Sequence, residues 1–270
     1  MKTVIIFGGA GYIGQNITQH LAKLGYCVII PYQRYTSESK LRLYGNLGQI
    51  IPLKFNELSD KKIQEAITHS EIVINLKTIW QENRTYSYEK NIYNFNVNLI
   101  NLINEHNRNE KIYVFFSGLG VSEHSMSKRI QFIAKIEKYI EKNVNNFAIV
   151  RSSIVIGNND QFLSKLIGII KYSPFIPLFG DKYTKIQPVY IRDVVQAVVK
   201  IIEKKERNSI FELGGPEIFT YETLYRHISQ CMKKKPFIIR IPKFIAKFFV
   251  LILEKLGFKI ITYEQFLLFY

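Results

Sequence analysis

The chain begins with a β-branched run, Lys2-Thr3-Val4-Ile5-Ile6-Phe7, that passes directly into Gly8-Gly9-Ala10-Gly11-Tyr12-Ile13-Gly14. Apolar residues then recur at helical spacing (Ile13, Ile17, Leu21, Leu24), Gly25 ends the pattern, and Cys27-Val28-Ile29-Ile30 opens a second apolar run. Strand, glycine turn, helix and strand are the context that a dinucleotide cradle requires. Glycines at 8, 11 and 14 let the backbone bend sharply and approach a pyrophosphate. The first helical N–H groups, from Tyr12, Ile13 and Gly14, then face the negative charge.

The end of the second apolar run bears on which dinucleotide. An Asp or Glu about 20 residues past the glycines grips the adenosine ribose hydroxyls of NAD. Here the run continues Pro31-Tyr32-Gln33-Arg34, and no acid follows until Glu38. Arg34, with Lys40 or Arg42 behind it, offers positive charge where a 2′-phosphate would lie. A guanidinium suits that group because it is planar and can bond it twice. NADP(H) is therefore preferred, with NAD(H) as the other option. Asn56, after the third strand, is placed as an adenine contact, and Asn75 and Leu76 border the path from adenosine to nicotinamide.

The remaining pattern alternates β and α. Strands are expected near 49–53, 71–76, 111–116 and 147–151, with helices near 60–68, 89–106 and 128–141. Sequential βα units predict an α/β fold, a doubly wound parallel sheet of Rossmann type covered on both faces. Residues 1–155 would form this domain, with 185–205 returning to it. Residues 156–184 and 206–270 would build a small interleaved C-terminal lobe.

A chain of 270 residues with 47% apolar content can bury a sizeable core. The formal charge of +15 is spread among many Asn, Ile, Phe and Tyr residues, with no helix-turn-helix, zinc-finger or RNP pattern. Nucleic acid is therefore not an expected partner. Cys27 and Cys231 are too few and too far apart for a disulfide framework, and the five histidines lack metal-ligand spacing, so no metal is predicted. A first strand at residue 2 or 3 leaves no room for a targeting peptide, which suits a cytoplasmic protein or a mature mitochondrial one.

Reductases built on such a sheet use a Tyr as general acid, a Lys four residues later that lowers its pKa, and a Ser after the fifth strand. The corresponding helix here reads Gln131-Phe132-Ile133-Ala134-Lys135. The lysine persists, and an amide without a titratable proton occupies the tyrosine slot. Tyr86-Ser87-Tyr88-Glu89-Lys90 has the spacing but lies before that helix. Ser117 follows the fifth strand, one or two residues before the usual serine, and equally suits a hydroxyl bonding local backbone. No catalytic residue is assigned; Lys135 is expected to reach the nicotinamide ribose.

Several stretches together resemble one family. These are Leu41-Arg42-Leu43-Tyr44-Gly45-Asn46-Leu47-Gly48-Gln49-Ile50, Ile72-Val73-Ile74-Asn75-Leu76, Val150-Arg151-Ser152 through Gly157, Gln187-Pro188-Val189-Tyr190, Phe211 through Pro216, and Thr262-Tyr263-Glu264-Gln265. The whole chain resembles the NADPH-binding accessory subunits of respiratory complex I (the alpha subcomplex subunit 9 family), which are atypical extended short-chain reductases. The resemblance implies a tightly held NADPH that is not turned over. It also implies docking on a complex I-like membrane assembly, on the cytoplasmic or matrix side. Two departures stand out: Gln33 separates Pro31-Tyr32 from Arg34, and Gln131 replaces the tyrosine. The alternatives are a soluble NADP-dependent reductase or sugar-nucleotide epimerase-like enzyme with another proton donor, and a nucleotide-sensing regulator.

Residues 242–259 are apolar nearly all round, with Lys243, Lys247, Lys255 and Lys259 interspersed. The segment is too short to span a bilayer. It reads either as a helix packed into the C-terminal lobe or as one lying on a membrane surface, its lysines toward anionic headgroups.

Overall fold

The computed structural model describes residues 2–33, 36–105, 111–180, 183–204, 206–255 and 262–268. In chain order the Rossmann half contains β1 (Thr3–Phe7), α1 (Tyr12–Lys23), β2 (Cys27–Tyr32), α2 (Glu38–Arg42), β3 (Ile50–Lys54), α3 (Lys61–His69), β4 (Ile72–Asn75), α4 (Phe95–Glu105), β5 (Ile112–Gly118), α5 (Lys128–Asn143) and β6 (Phe147–Ser152). A π-helical turn, Glu89–Asn94, leads into α4, so the expected single helix from 89 is widened in its first turns. His106, its expected end, lies outside the described residues.

Beyond β6 come β7 (Val155–Ile156), α6 (Gln161–Tyr172), β8 (Phe175–Leu178), β9 (Lys185–Ile186), β10 (Val189–Tyr190), α7 (Ile191–Glu203), β11 (Ser209–Leu213), β12 (Phe219–Thr220), α8 (Tyr221–Cys231), β13 (Phe237–Arg240), α9 (Lys243–Lys255) and α10 (Tyr263–Leu267). The main sheet has seven strands in the order β11-β6-β5-β4-β1-β2-β3. Every pairing in it is parallel.

Alternation along the strands divides the core between the two faces, as period-2 side chains require. Ile5, Phe7, Val73, Tyr113 and Ile149 meet Ile63, Leu99, Ile133 and Ile140 from α3, α4 and α5. Val4, Ile6, Val28, Ile74 and Val150 meet Ile17 and Leu21 from α1, and Val195, Val198 and Ile202 from α7. Helices on both faces make the sheet doubly wound, as expected. The strand order reverses beside β1, and its C-terminal edge there is where such sheets place ligands.

A smaller core of Leu166, Ile170, Ile176, Leu178, Leu224 and Tyr225 joins α6, β8 and α8. One sequence boundary shifts. Residues 209–213 pair with β6 instead of joining the lobe, so 206–270 is not all lobe. β11 is five residues long and alternates half-buried with exposed positions, the pattern of an edge strand, which reads as loop when seen alone.

The candidate dinucleotide site

β1 delivers the chain to Gly8 at the sheet edge between β4 and β2. Gly8 has φ +83°, and a Cβ there would sit 3.0 Å from the Leu76 carbonyl carbon. A Cβ at Gly14 would lie 2.4 Å from the Gly8 oxygen and 2.6 Å from the Gly9 Cα. Glycine at both positions is thus demanded by the close approach of turn, helix and β4. Gly11 is the N-cap of α1, and its amide donates to Gly8 O at 3.0 Å. No side chain caps this helix, and its first turn holds no acid. The opening N–H groups of Tyr12, Ile13 and Gly14 therefore present the positive helix end to the cleft.

Tyr12 is the first residue of α1. Its ring turns toward Gly157, where a Cβ would be 2.8 Å from the Tyr12 hydroxyl. The hydroxyl is buried without a hydrogen-bond partner, and burial, followed by Asp160 and Tyr190, raises its pKa. Ile13 packs on the α1–α7 face of the core.

Asn75 is fully buried. Its Nδ2 donates to Asn96 Oδ1 at 2.7 Å and to the Tyr113 hydroxyl at 3.2 Å, and the Tyr113 hydroxyl donates to the same Asn96 oxygen at 2.7 Å. Asn75 Oδ1 accepts from the Lys77 amide at 2.9 Å. Its side chain thus holds the β4 exit loop from beneath, and Leu76 lies against Gly8.

At the end of β2, Gln33 spans two loops. Its Nε2 donates to Asn56 O at 2.7 Å, and its Oε1 accepts from Lys77 Nζ at 2.8 Å. Asn56 is exposed, its amide donating to Asp60 Oδ2 at 2.8 Å. Arg34, the sequence candidate for phosphate, lies outside the described residues. Lys77 was missed by sequence reasoning, because a lone lysine after a strand carries no pattern.

At the other end, Gln131 Nε2 donates to Ser125 O at 2.7 Å. Ser117 Oγ is buried without a hydrogen-bond partner. Lys135 is exposed, its ammonium 5.2 Å from the Phe132 ring centroid. The structure therefore draws Gly8, Gly11, Gly14, Leu76, Gln33 and Asn56 to one edge, while Lys135 is exposed on α5.

The C-terminal helices close against this second end. Ser127, the α5 N-cap, donates to the Glu264 carboxylate, and Gln81 Nε2 donates to Glu254 Oε1 at 2.6 Å. Arg129 on α5 is buried, stacked 3.9 Å from the Trp80 centroid and donating to Ile79 O and Thr78 Oγ1, each at 3.1 Å. Burial lowers its pKa to about 10, so it stays protonated at neutral pH. Among the described residues no His, Cys, Asp and Glu cluster could hold a metal.

Residues 4–122 match the NAD dependent epimerase/dehydratase family. With its reversed strand order and glycine cradle the chain has a Rossmann-type, doubly wound fold, and it is similar to that family over those residues. Its fold is shared with the dTDP-glucose 4,6-dehydratase of Bacillus anthracis, solved in complex with NAD: TM-score 0.71, 14% identity, covering 89% of this chain and 84% of that one.

Over most of its length the chain is similar to mitochondrial proteins named NADH dehydrogenase [ubiquinone] 1 alpha subcomplex subunit 9. It is 31% identical to the Arabidopsis thaliana subunit over 245 residues, 90% of this chain and 61% of that protein. It is 32% identical to the Dictyostelium discoideum subunit over 219 residues, 80% of this chain and 60% of that one. The chain thus spans about three fifths of the length of these relatives.

Proposed function

We propose that this chain is an NADP(H)-binding accessory subunit of a complex I-like NADH:quinone oxidoreductase, without catalysis of its own. The observation that carries the non-catalytic part is Gln131. Its amide is tied to the Ser125 carbonyl and has no proton to relay to a substrate oxygen. The cradle supports the nucleotide part, because the space that side chains at Gly8 and Gly14 would fill is the space a pyrophosphate approach needs. Gly8, Gly11 and Gly14 with the Tyr12 and Ile13 amides would seat the pyrophosphate, Asn56 would face adenine, and Asn75 would support the loop bearing Leu76. Arg34 would meet the 2′-phosphate and Lys135 the nicotinamide ribose. When bound, the nucleotide supplies a hydride-carrying group that this site is not equipped to use.

Kinship with subunits of NADH dehydrogenase supports the partner assignment. The α9 surface supports a peripheral position on the inner side of the membrane. Ala246 and Val250 pack against Phe266, while Phe244, Phe248, Phe249, Leu251 and Ile252 face outward next to Lys247. An aromatic and lysine-edged face of this kind suits an anionic headgroup boundary. No helix among the described residues is long and apolar enough to cross a membrane.

The test is native purification, release of bound nucleotide, its identification by mass spectrometry, and measurement of its exchange with added cofactor. Retained, slowly exchanging NADPH that keeps its oxidation state with candidate substrates, together with recovery of oxidoreductase subunits from solubilised membranes, is expected. Rapid exchange with turnover of a carbonyl or sugar-nucleotide substrate overturns the reading in favour of a soluble enzyme.

A further inference from the structure

Two contacts fix the place of Lys77 Nζ beside the glycine turn. It donates to Gln33 Oε1 at 2.8 Å and lies 3.6 Å from the Phe95 ring centroid. Phe95 in turn packs edge-on against Phe7, centroids 5.6 Å apart, and Phe7 immediately precedes Gly8. The Lys77 backbone is fixed as well, through its amide to Asn75 Oδ1 at 2.9 Å. Since β1 runs between β4 and β2, the Lys77–Gln33 bond bridges two strand ends that flank the glycine turn. The ammonium therefore stands at the adenosine end of the cleft.

An acid at the end of β2 would accept from both ribose hydroxyls and repel a phosphate. Gln33 occupies that place as a neutral amide. The nearest following carboxylate, Glu38, is engaged by the Tyr32 hydroxyl and lies 3.8 Å from Arg42. A lysine is a compact point charge, and its bond to a neutral amide oxygen is weaker than a charge-assisted bond to phosphate.

We propose that Lys77, positioned by Gln33 and Phe95, is a specificity-determining residue that selects a dinucleotide carrying a ribose 2′-phosphate. The proposal rests on the dinucleotide reading above. Gln33 acts on it as a positioning residue whose amide exchanges its hold on the ammonium for the incoming phosphate.

The experiment is titration calorimetry of the unaltered chain, Lys77→Met and Gln33→Glu with NADPH and with NADH. Methionine keeps an apolar stem over Phe95 and removes only the charge. Lys77→Met is expected to weaken NADPH about ten- to a hundredfold and to leave NADH within about twofold. Gln33→Glu is expected to move the ratio toward NADH, through repulsion of the phosphate. An unchanged ratio of the two dissociation constants in Lys77→Met overturns the proposal while leaving the dinucleotide reading intact. Equal weakening of both nucleotides overturns it in favour of a structural role. Failure of the unaltered chain to bind either nucleotide overturns the dinucleotide reading and this proposal with it.

Discussion

Arg151 on β6 and Glu137 on α5 meet at 2.6 Å, with the carboxylate 4% exposed and the guanidinium 24% exposed. A second bond, from Arg151 Nε to the other oxygen at 3.2 Å, makes the pair bidentate. The Glu137 hydrogen bond is the main reason that the Arg151 pKa is raised. This pair fastens the helix that carries Gln131 to the strand beside it. Glu212 on β11 also approaches Arg151, at 3.4 Å, but is 61% exposed.

Removing one partner of a largely buried pair strands the other charge, so Glu137→Ala should cost about 2–4 kcal/mol. Glu212→Ala should cost less than about 1 kcal/mol because its charge stays in water. Urea unfolding of both variants checks this contrast. Equal losses would show that Arg151 is anchored as much by the edge strand as by α5.

Gly14→Ala places a methyl 2.4 Å from a backbone oxygen and 2.6 Å from a backbone carbon, neither of which can yield locally. It should abolish tight nucleotide binding and destabilise the fold by about 3 kcal/mol or more. Gly168 in α6 meets nothing within 4 Å of its would-be Cβ. Gly168→Ala should therefore stabilise by about 0.5–1 kcal/mol, through helix propensity alone. A loss of stability in that variant would place an unseen neighbour against α6.

The glycine turn and the two-faced sheet were legible because each rests on residues close in sequence. Spacing at 8, 11 and 14 specifies a turn, and alternation of apolar residues specifies burial on both faces. The Asn75–Asn96–Tyr113 triangle was not legible, since its members are 17 to 38 positions apart and meet only across β4, α4 and β5. Asn75 accordingly reads as a path-lining residue in sequence, yet in the fold it is a buried brace. Lys77 was hidden for the same reason, because Gln33 lies 44 positions earlier. β11 was missed because an edge strand buries too little to leave a pattern.

Alkaline pH should weaken this fold. Burial raises the pKa of Tyr88, Tyr113 and Tyr221 well above the usual phenol value, and that of Tyr225 to about 12. An acid whose folded pKa exceeds its unfolded one contributes stability that is complete below pH 10 and lost as pH rises beyond it. Arg129 and Lys111, whose pKa values burial lowers, act in the opposite sense but are fewer. The urea midpoint should therefore fall between pH 9.5 and about 11.5. Tyr113→Phe should lose about 1–2 kcal/mol at neutral pH, through the broken triangle, and show a shallower alkaline decline. An unchanged slope would mean that Tyr113 ionises without leaving the core.

Glu254 ties the C-terminal helices to the loop after β4 through both of its oxygens. Oε1 accepts from Gln81 Nε2 at 2.6 Å, and Oε2 accepts from the Tyr263 amide at 3.1 Å. Among the described residues, the apolar seam beneath has Ala246, Val250 and Phe266 as its buried members. Polar ties of about 1–3 kcal/mol each add to that seam in keeping the helices docked. Glu254→Ala should accelerate amide exchange across α9 and α10 by at least about tenfold. Exchange in β1, β4 and β5 should not change, because their bonds open only with the whole sheet. Acceleration throughout the sheet would mean that the C-terminal helices belong to its cooperative unit and are not a separately docked element.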